Sequence, residues 1–80
     1  MDMVTIIRRK KEEEISVNDF IDMMSRLLNW IGHTYSREEV AEVIDNILYK
    51  GEVDKSKSAY YTILNYLPEK EIGKFKTVNR

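Results

Sequence analysis

Apolar residues recur at helical spacing in three separate stretches of the chain. Positions three and four residues apart lie on one side of an α-helix, so each stretch predicts a helix with one apolar face. The predicted helices cover residues 16–31, 36–50 and 56–67. Their apolar faces are formed by Val17, Phe20, Ile21, Met24, Leu27, Leu28 and Ile31, then Val40, Val43, Ile44, Ile47 and Leu48, then Tyr60, Ile63, Leu64 and Leu67.

Capping residues stand where these helices should begin and end. Ser16 precedes the first helix, and Ser36 with Glu39 forms an S-x-x-E capping box for the second. Gly32 follows the first helix, where a left-handed C-cap is expected, and Pro68 ends the third. The segment GHTYSREEV therefore predicts a joint between two helices.

The N-terminal segment has a different pattern. Residues 3–9, MVTIIRR, are rich in β-branched side chains and predict a strand. Val4 and Ile6 would face one side and Thr5 and Ile7 the other, and hydrophobicity places Val4 and Ile6 inward. Because everything later in the chain has helical spacing, we expect this strand either to fray or to pair with its copy across a homodimer axis.

The remaining segments are charged. RRKKEEE, residues 8–14, is interpreted as a solvated connector or, alternatively, as a helical extension. Residues 69–80 are interpreted as a short turn followed by a basic tail. The predicted fold is thus a single small domain over residues 1–80, mainly α, with a short N-terminal strand followed by three helices.

Composition limits the class of protein. Eighty residues without cysteine contain no disulfide and no thiolate metal site, and such small domains rely on tight helix packing or on a partner subunit. We therefore expect a homodimer. No apolar run approaches the length of a membrane span. The basic cluster follows the short apolar N-terminal segment, which is the reverse of a secretory signal, so we expect a cytoplasmic, intracellular protein with no membrane partner.

The net charge of −1 conceals strong local charges. Residues 8–11 carry +4 and residues 12–14 carry −3. Residues 36–54 contain two basic and six acidic residues, whereas residues 55–80 contain six basic and two acidic residues. This distribution allows a local basic surface that a dimer would present twice.

The candidate chemistry is sparse. His33 is the single histidine, and one histidine without cysteine cannot form a structural zinc site. Ser36 is already accounted for as a helix cap. The acidic residues Glu38, Glu42 and Asp45 follow i, i+4, i+7 opposite the apolar face, which is typical of a solvated surface, although paired acids can also serve acid–base chemistry or bind a metal. We expect no enzymatic activity, no metal and no cofactor.

VTIIRR followed by GHTYSREEVAEVI resembles the ribbon-helix-helix family of transcription repressors. The resemblance covers roughly residues 3–50, and the third helix resembles the helix that some small regulators of archaeal viruses add to this fold. It implies a homodimer whose paired strands enter the major groove of double-stranded DNA, with the N-terminus of the second helix on a phosphate. The implied base contacts are Thr5, Ile7 and Arg9. The implied phosphate contacts are Arg8, Lys10, His33, Thr34, Tyr35, Ser36 and Arg37.

Two alternatives remain open. The chain could be a small helical inhibitor or adaptor from a phage or mobile element that binds a host protein through its acidic second helix and through Met23 and Trp30. It could also bind single-stranded nucleic acid by stacking Tyr60, Tyr61 and Tyr66 on bases, together with the basic C-terminal tail. For these tyrosines we prefer the interpretation that Tyr60 belongs to the core and the other two are partly exposed.

Overall fold

The described part of the chain folds as a β-hairpin followed by four helices. This computed structural model describes residues 2–53 and 56–72. The predicted basic tail over residues 73–80 lies outside them. The elements are β1 (Met3–Arg8), β2 (Lys11–Ser16), α1 (Val17–Trp30), α2 (Arg37–Asp45), α3 (Ser58–Leu64) and α4 (Glu69–Ile72), and α2 continues as a π-helical turn over Asn46–Lys50.

β1 has a partner within the chain. It pairs antiparallel with β2, in a register that runs from Met3 opposite Ser16 to Arg8 opposite Lys11. The expectation that nothing in the chain could pair with β1 is therefore wrong, as are both interpretations of residues 8–14 as a connector or a helical extension. Lysine and glutamate have low strand propensity. A two-residue turn brings them beside β1 at small entropic cost, and the pairing satisfies the backbone groups of both strands.

The inward face of the hairpin is the one predicted from hydrophobicity. Val4 is 2% exposed and Ile6 is fully buried, and both belong to the same core as the apolar face of α1. The Ser16 side chain caps α1 by accepting a hydrogen bond from the Asp19 backbone N–H at 3.0 Å. The core comprises Val4, Ile6, Phe20, Ile21, Met24, Leu28, Val40, Val43, Ile44, Ile47, Ala59, Tyr60, Ile63 and Leu67.

The helices follow the predicted order with shorter bounds. The predicted helix over residues 36–50 corresponds to α2 with its π-helical turn, which ends at Gly51 with a φ of 66°. α3 ends at Leu64, three residues before the predicted Leu67, although Leu67 itself is buried. Within the described part of the chain, no helix combines the length and apolar character that crossing a membrane requires.

Candidate functional site

The turn of the hairpin carries the densest positive charge of the described chain. Arg9 and Lys10 form its two central positions, with φ values of 53° and 63°. Positive φ at both positions is the type I′ pattern, which normally selects asparagine and glycine. A side chain with a Cβ loses about 1–2 kcal/mol in this left-handed region. Arg9 and Lys10 therefore occupy two positions at which asparagine and glycine would make a more stable turn.

Arg8 is held by an acidic partner on β2. Its Nη2 and Nε atoms donate to the two carboxylate oxygens of Glu13 at 2.8 and 3.2 Å. The hydrogen bond from Arg8 holds the pKa of Glu13 below its usual value and raises the pKa of Arg8. Arg9, Lys10 and Lys11 are all exposed, and none has an ion-pair partner among residues 2–53 and 56–72. The turn thus presents three cations to solvent.

The outward face of the hairpin combines the expected base contacts with carboxylates. Thr5 lies opposite Glu14, and Ile7, 39% exposed, lies opposite Glu12. Side chains of directly opposed residues share one face of a sheet. Lys70 of α4 donates to Glu12 at 3.3 Å. Thr5 and Ile7 would therefore approach a ligand together with Glu12 and Glu14, a constraint that the isolated strand pattern did not reveal.

The joint between α1 and α2 is closed by its own hydrogen bonds. The Ser36 hydroxyl accepts from the Glu39 backbone N–H at 3.1 Å, and the Ser36 N–H donates to the Glu39 carboxylate at 3.0 Å. The predicted capping box is confirmed. Because Glu38 also lies in the first turn, two carboxylates already occupy the helix end where a phosphate would bind.

The other joint residues are also engaged in the fold. The Tyr35 hydroxyl lies 3.1 Å from the Ser58 hydroxyl, and Arg37 donates to the Asp22 carboxylate at 2.7 Å. The rings of His33 and Tyr35 lie with their centroids 5.6 Å apart. Thr34 is exposed. Most side chains of the joint therefore contact other parts of the fold. The role of the joint as a phosphate contact stays a prediction.

α1 and β2 border an open groove with a volume of about 380 Å³. Its lining residues are Arg8, Ile15, Asp19, Met23 and Arg26.

The end of α1 exposes large apolar side chains. Trp30 is 83% exposed and Ile31 is 46% exposed. Asp19, Met23, Arg26 and Trp30 are spaced i, i+4, i+7, i+11, so Trp30 continues the stripe of α1 that lines the groove. Met23 and Trp30, which the alternative protein-binding function used together, differ in exposure: Met23 is partly buried and Trp30 is in solvent.

The remaining candidate residues lie on the solvated surface of α2 or in the core. Glu38, Glu42 and Asp45 are exposed, as expected of a solvated face. Tyr60 is buried, as preferred, and its hydroxyl accepts from the Asn46 side chain at 3.3 Å. Within residues 2–53 and 56–72, no three histidine, aspartate or glutamate side chains cluster as metal ligands would.

No protein-family model, curated protein or solved structure shows a significant similarity to this chain.

Proposed function

We propose that the protein is a double-stranded DNA-binding regulator that contacts DNA through the basic turn of its hairpin. The observation that carries the proposal is the pair Arg9 and Lys10, which occupy left-handed positions without an ion-pair partner among the described residues. Backbone strain of this kind persists where the surrounding structure enforces it, and it clusters at functional sites. Turn stability alone would favour asparagine and glycine here, so the cations serve another purpose.

The hairpin suits this role in shape and charge. A two-stranded ribbon fits the major groove of B-DNA, and cations at its tip meet the phosphates that border the groove. In this proposal Arg9, Lys10 and Lys11 position the protein on the backbone. Arg9 also has the guanidinium that pairs with guanine edges. Glu12 and Glu14 stand beside Thr5 and Ile7. Carboxylates accept hydrogen bonds from cytosine and repel phosphate, so they would restrict which sequences the ribbon tolerates.

The proposal includes a homodimer in which each chain presents its own hairpin. β1 is bonded to β2 on one edge, and on the other edge the Ile7 N–H donates to the Tyr66 carbonyl at 2.9 Å. A ribbon shared between two chains would have to break these bonds, so two separate hairpins are favoured. The exposed apolar pair Trp30 and Ile31 supports self-association, because such groups in a small domain often mark an interface.

The same exposed tryptophan favours a second candidate, an inhibitor or adaptor that binds a host protein. Tryptophan is enriched among residues that dominate protein interfaces. In that case the exposed acidic face of α2, with Glu38 and Glu42, would complete the contact. Charge reversal at these two acids would then abolish partner binding and leave DNA binding unchanged.

Salt-dependent DNA binding tests the proposal. Each phosphate contact contributes roughly −0.9 to the slope of log K against log salt concentration. We expect Lys10→Gln to reduce the slope by about 0.9 for each bound chain. Lys50→Gln is the matched control, because its neighbour Tyr49 is hydrogen-bonded to Asp2, at the end of β1 remote from the turn.

Fluorescence anisotropy with a labelled random duplex at several salt concentrations measures both slopes. Equal salt slopes for Lys10→Gln and Lys50→Gln would show that the basic turn does not contact DNA phosphates. Absence of binding at low salt would overturn DNA binding itself, and sedimentation in the same buffer would test the dimer independently.

A further inference from the structure

The hairpin has an open edge along β2. In a two-residue hairpin the pair next to the turn is hydrogen-bonded, and bonded pairs alternate with non-bonded pairs. The N–H and C=O groups of Glu12 and Glu14 therefore point away from β1. Within residues 2–53 and 56–72, no backbone hydrogen bond from outside the hairpin reaches them. This edge is a template for one more strand.

The open edge lies beside the groove between β2 and α1. Ile15 lines the groove from the inward face of β2, and Met23 lines it from α1. These two apolar side chains share the groove with the charged residues Arg8, Asp19 and Arg26. A strand added to β2 would extend the sheet, and its alternate side chains would point toward this groove. Backbone pairing and a pocket for every second side chain are the two components of peptide recognition by strand addition.

Charge distinguishes between the possible occupants of this edge. If β2 paired with the β2 of a second copy, the glutamates of the two chains would lie beside one another, and like charges in neighbouring strands are destabilising. The edge instead matches a strand with basic side chains outward, toward Glu12 and Glu14, and apolar side chains inward, toward Ile15 and Met23. Glu14 has no ion-pair partner among the described residues, and the pair of Glu12 with Lys70 is exposed and easily displaced.

We propose that the edge of β2 and the adjoining groove bind an extended peptide of a partner protein in which basic and apolar residues alternate. Glu14 also stands beside the proposed base contacts. DNA binding, however, depends on the cations of the turn, whereas peptide binding depends on the backbone edge of β2 and on the groove beside Met23. The salt dependence of DNA binding and the peptide titration therefore test the two proposals separately.

Titration with a synthetic peptide tests the proposal. The probe is a capped peptide of alternating lysine and valine, about the length of β2, whose own charge keeps it from self-pairing. Binding should shift the backbone amide resonances of Glu12 and Glu14 and the side-chain resonances of Ile15 and Met23. A peptide with glutamate in place of lysine should not bind. A peptide methylated on the amide nitrogens that face β2 should bind at least about tenfold more weakly, because it cannot donate to the edge.

Two variants at one position separate charge from backbone pairing. Glu14→Pro removes an outward N–H, which an edge strand tolerates, and should abolish binding, whereas Glu14→Gln should weaken it a few-fold. Equal binding of the methylated and unmethylated peptides would overturn the proposal even if Glu14→Pro does not fold. Conversion of a dimer to a monomer by Glu14→Pro would also overturn it, since the occupant would then be a second copy.

Discussion

Replacing the central residues of the hairpin turn should stabilise the protein while it weakens DNA binding. The perturbation is the double variant Arg9→Asn with Lys10→Gly, which introduces the pair that type I′ turns prefer. The φ values of 53° and 63° place both native residues in the left-handed region. Glycine at position 10 removes the Cβ and with it a strain of about 1–2 kcal/mol, and it returns roughly 0.5–1 kcal/mol as entropy of the unfolded chain. Asparagine at position 9 keeps a Cβ and gains only through its greater tolerance of the left-handed region. The expected net gain is about 1 kcal/mol.

A control variant isolates the charge from the backbone conformation. Arg9→Gln with Lys10→Gln removes the same two charges and keeps a Cβ at both positions. Its unfolding free energy should stay within about 0.5 kcal/mol of the wild type, as is usual for exposed substitutions. Both variants should lose DNA affinity to a similar extent, because each removes two cations from the turn.

Urea unfolding followed by circular dichroism, together with a thermal melt, measures the stability difference. For a domain of this size a gain of about 1 kcal/mol corresponds to a rise in Tm of roughly 4–8 °C. If the asparagine–glycine variant is no more stable than the glutamine variant, the left-handed turn is not strained. If the glutamine variant binds DNA like the wild type, strain at the turn has no connection with DNA binding.

Two further predictions concern the face of β1 and the start of the chain. Ile6→Ala should cost about 2–5 kcal/mol in urea unfolding because Ile6 is fully buried, whereas Ile7→Ala on the outward face should cost well under half as much; equal losses would refute the assigned faces. The Tyr49 hydroxyl donates to the Asp2 carboxylate at 2.5 Å, and this bond, with burial and the nearby charges of Asp2 and Asp45, raises the pKa of Tyr49 to about 12. Because a raised pKa favours the neutral phenol, its stabilisation is complete below the ordinary value near 10 and is lost as the pH rises through about 12. In an ultraviolet titration, Asp2→Asn should move the ionisation of Tyr49 to lower pH; an unchanged titration in that variant would exclude the contact.

The joint between α1 and α2 shows how far local patterns reach. The spacing of Ser36 and Glu39 predicted the capping box, and the structure confirms both of its hydrogen bonds. Nothing in the spacing of this segment indicated that Tyr35 would meet Ser58, which is 23 residues away. The segment that contains the single histidine, His33, is therefore largely explained by caps and packing.

By itself, the sequence determined the helices, their apolar faces and the inward side of β1, because these depend on side-chain periods within one segment. Only the tertiary structure decided that Lys11–Ser16 is a strand, since pairing is a property of two segments and β2 has little strand propensity of its own. The same pairing placed Arg9 and Lys10 in a strained turn, set Glu12 and Glu14 opposite Ile7 and Thr5, and opened the groove beside α1. The sequence contains the residues on which both proposals rest. Their positions relative to one another, however, follow from the backbone hydrogen bonds between β1 and β2.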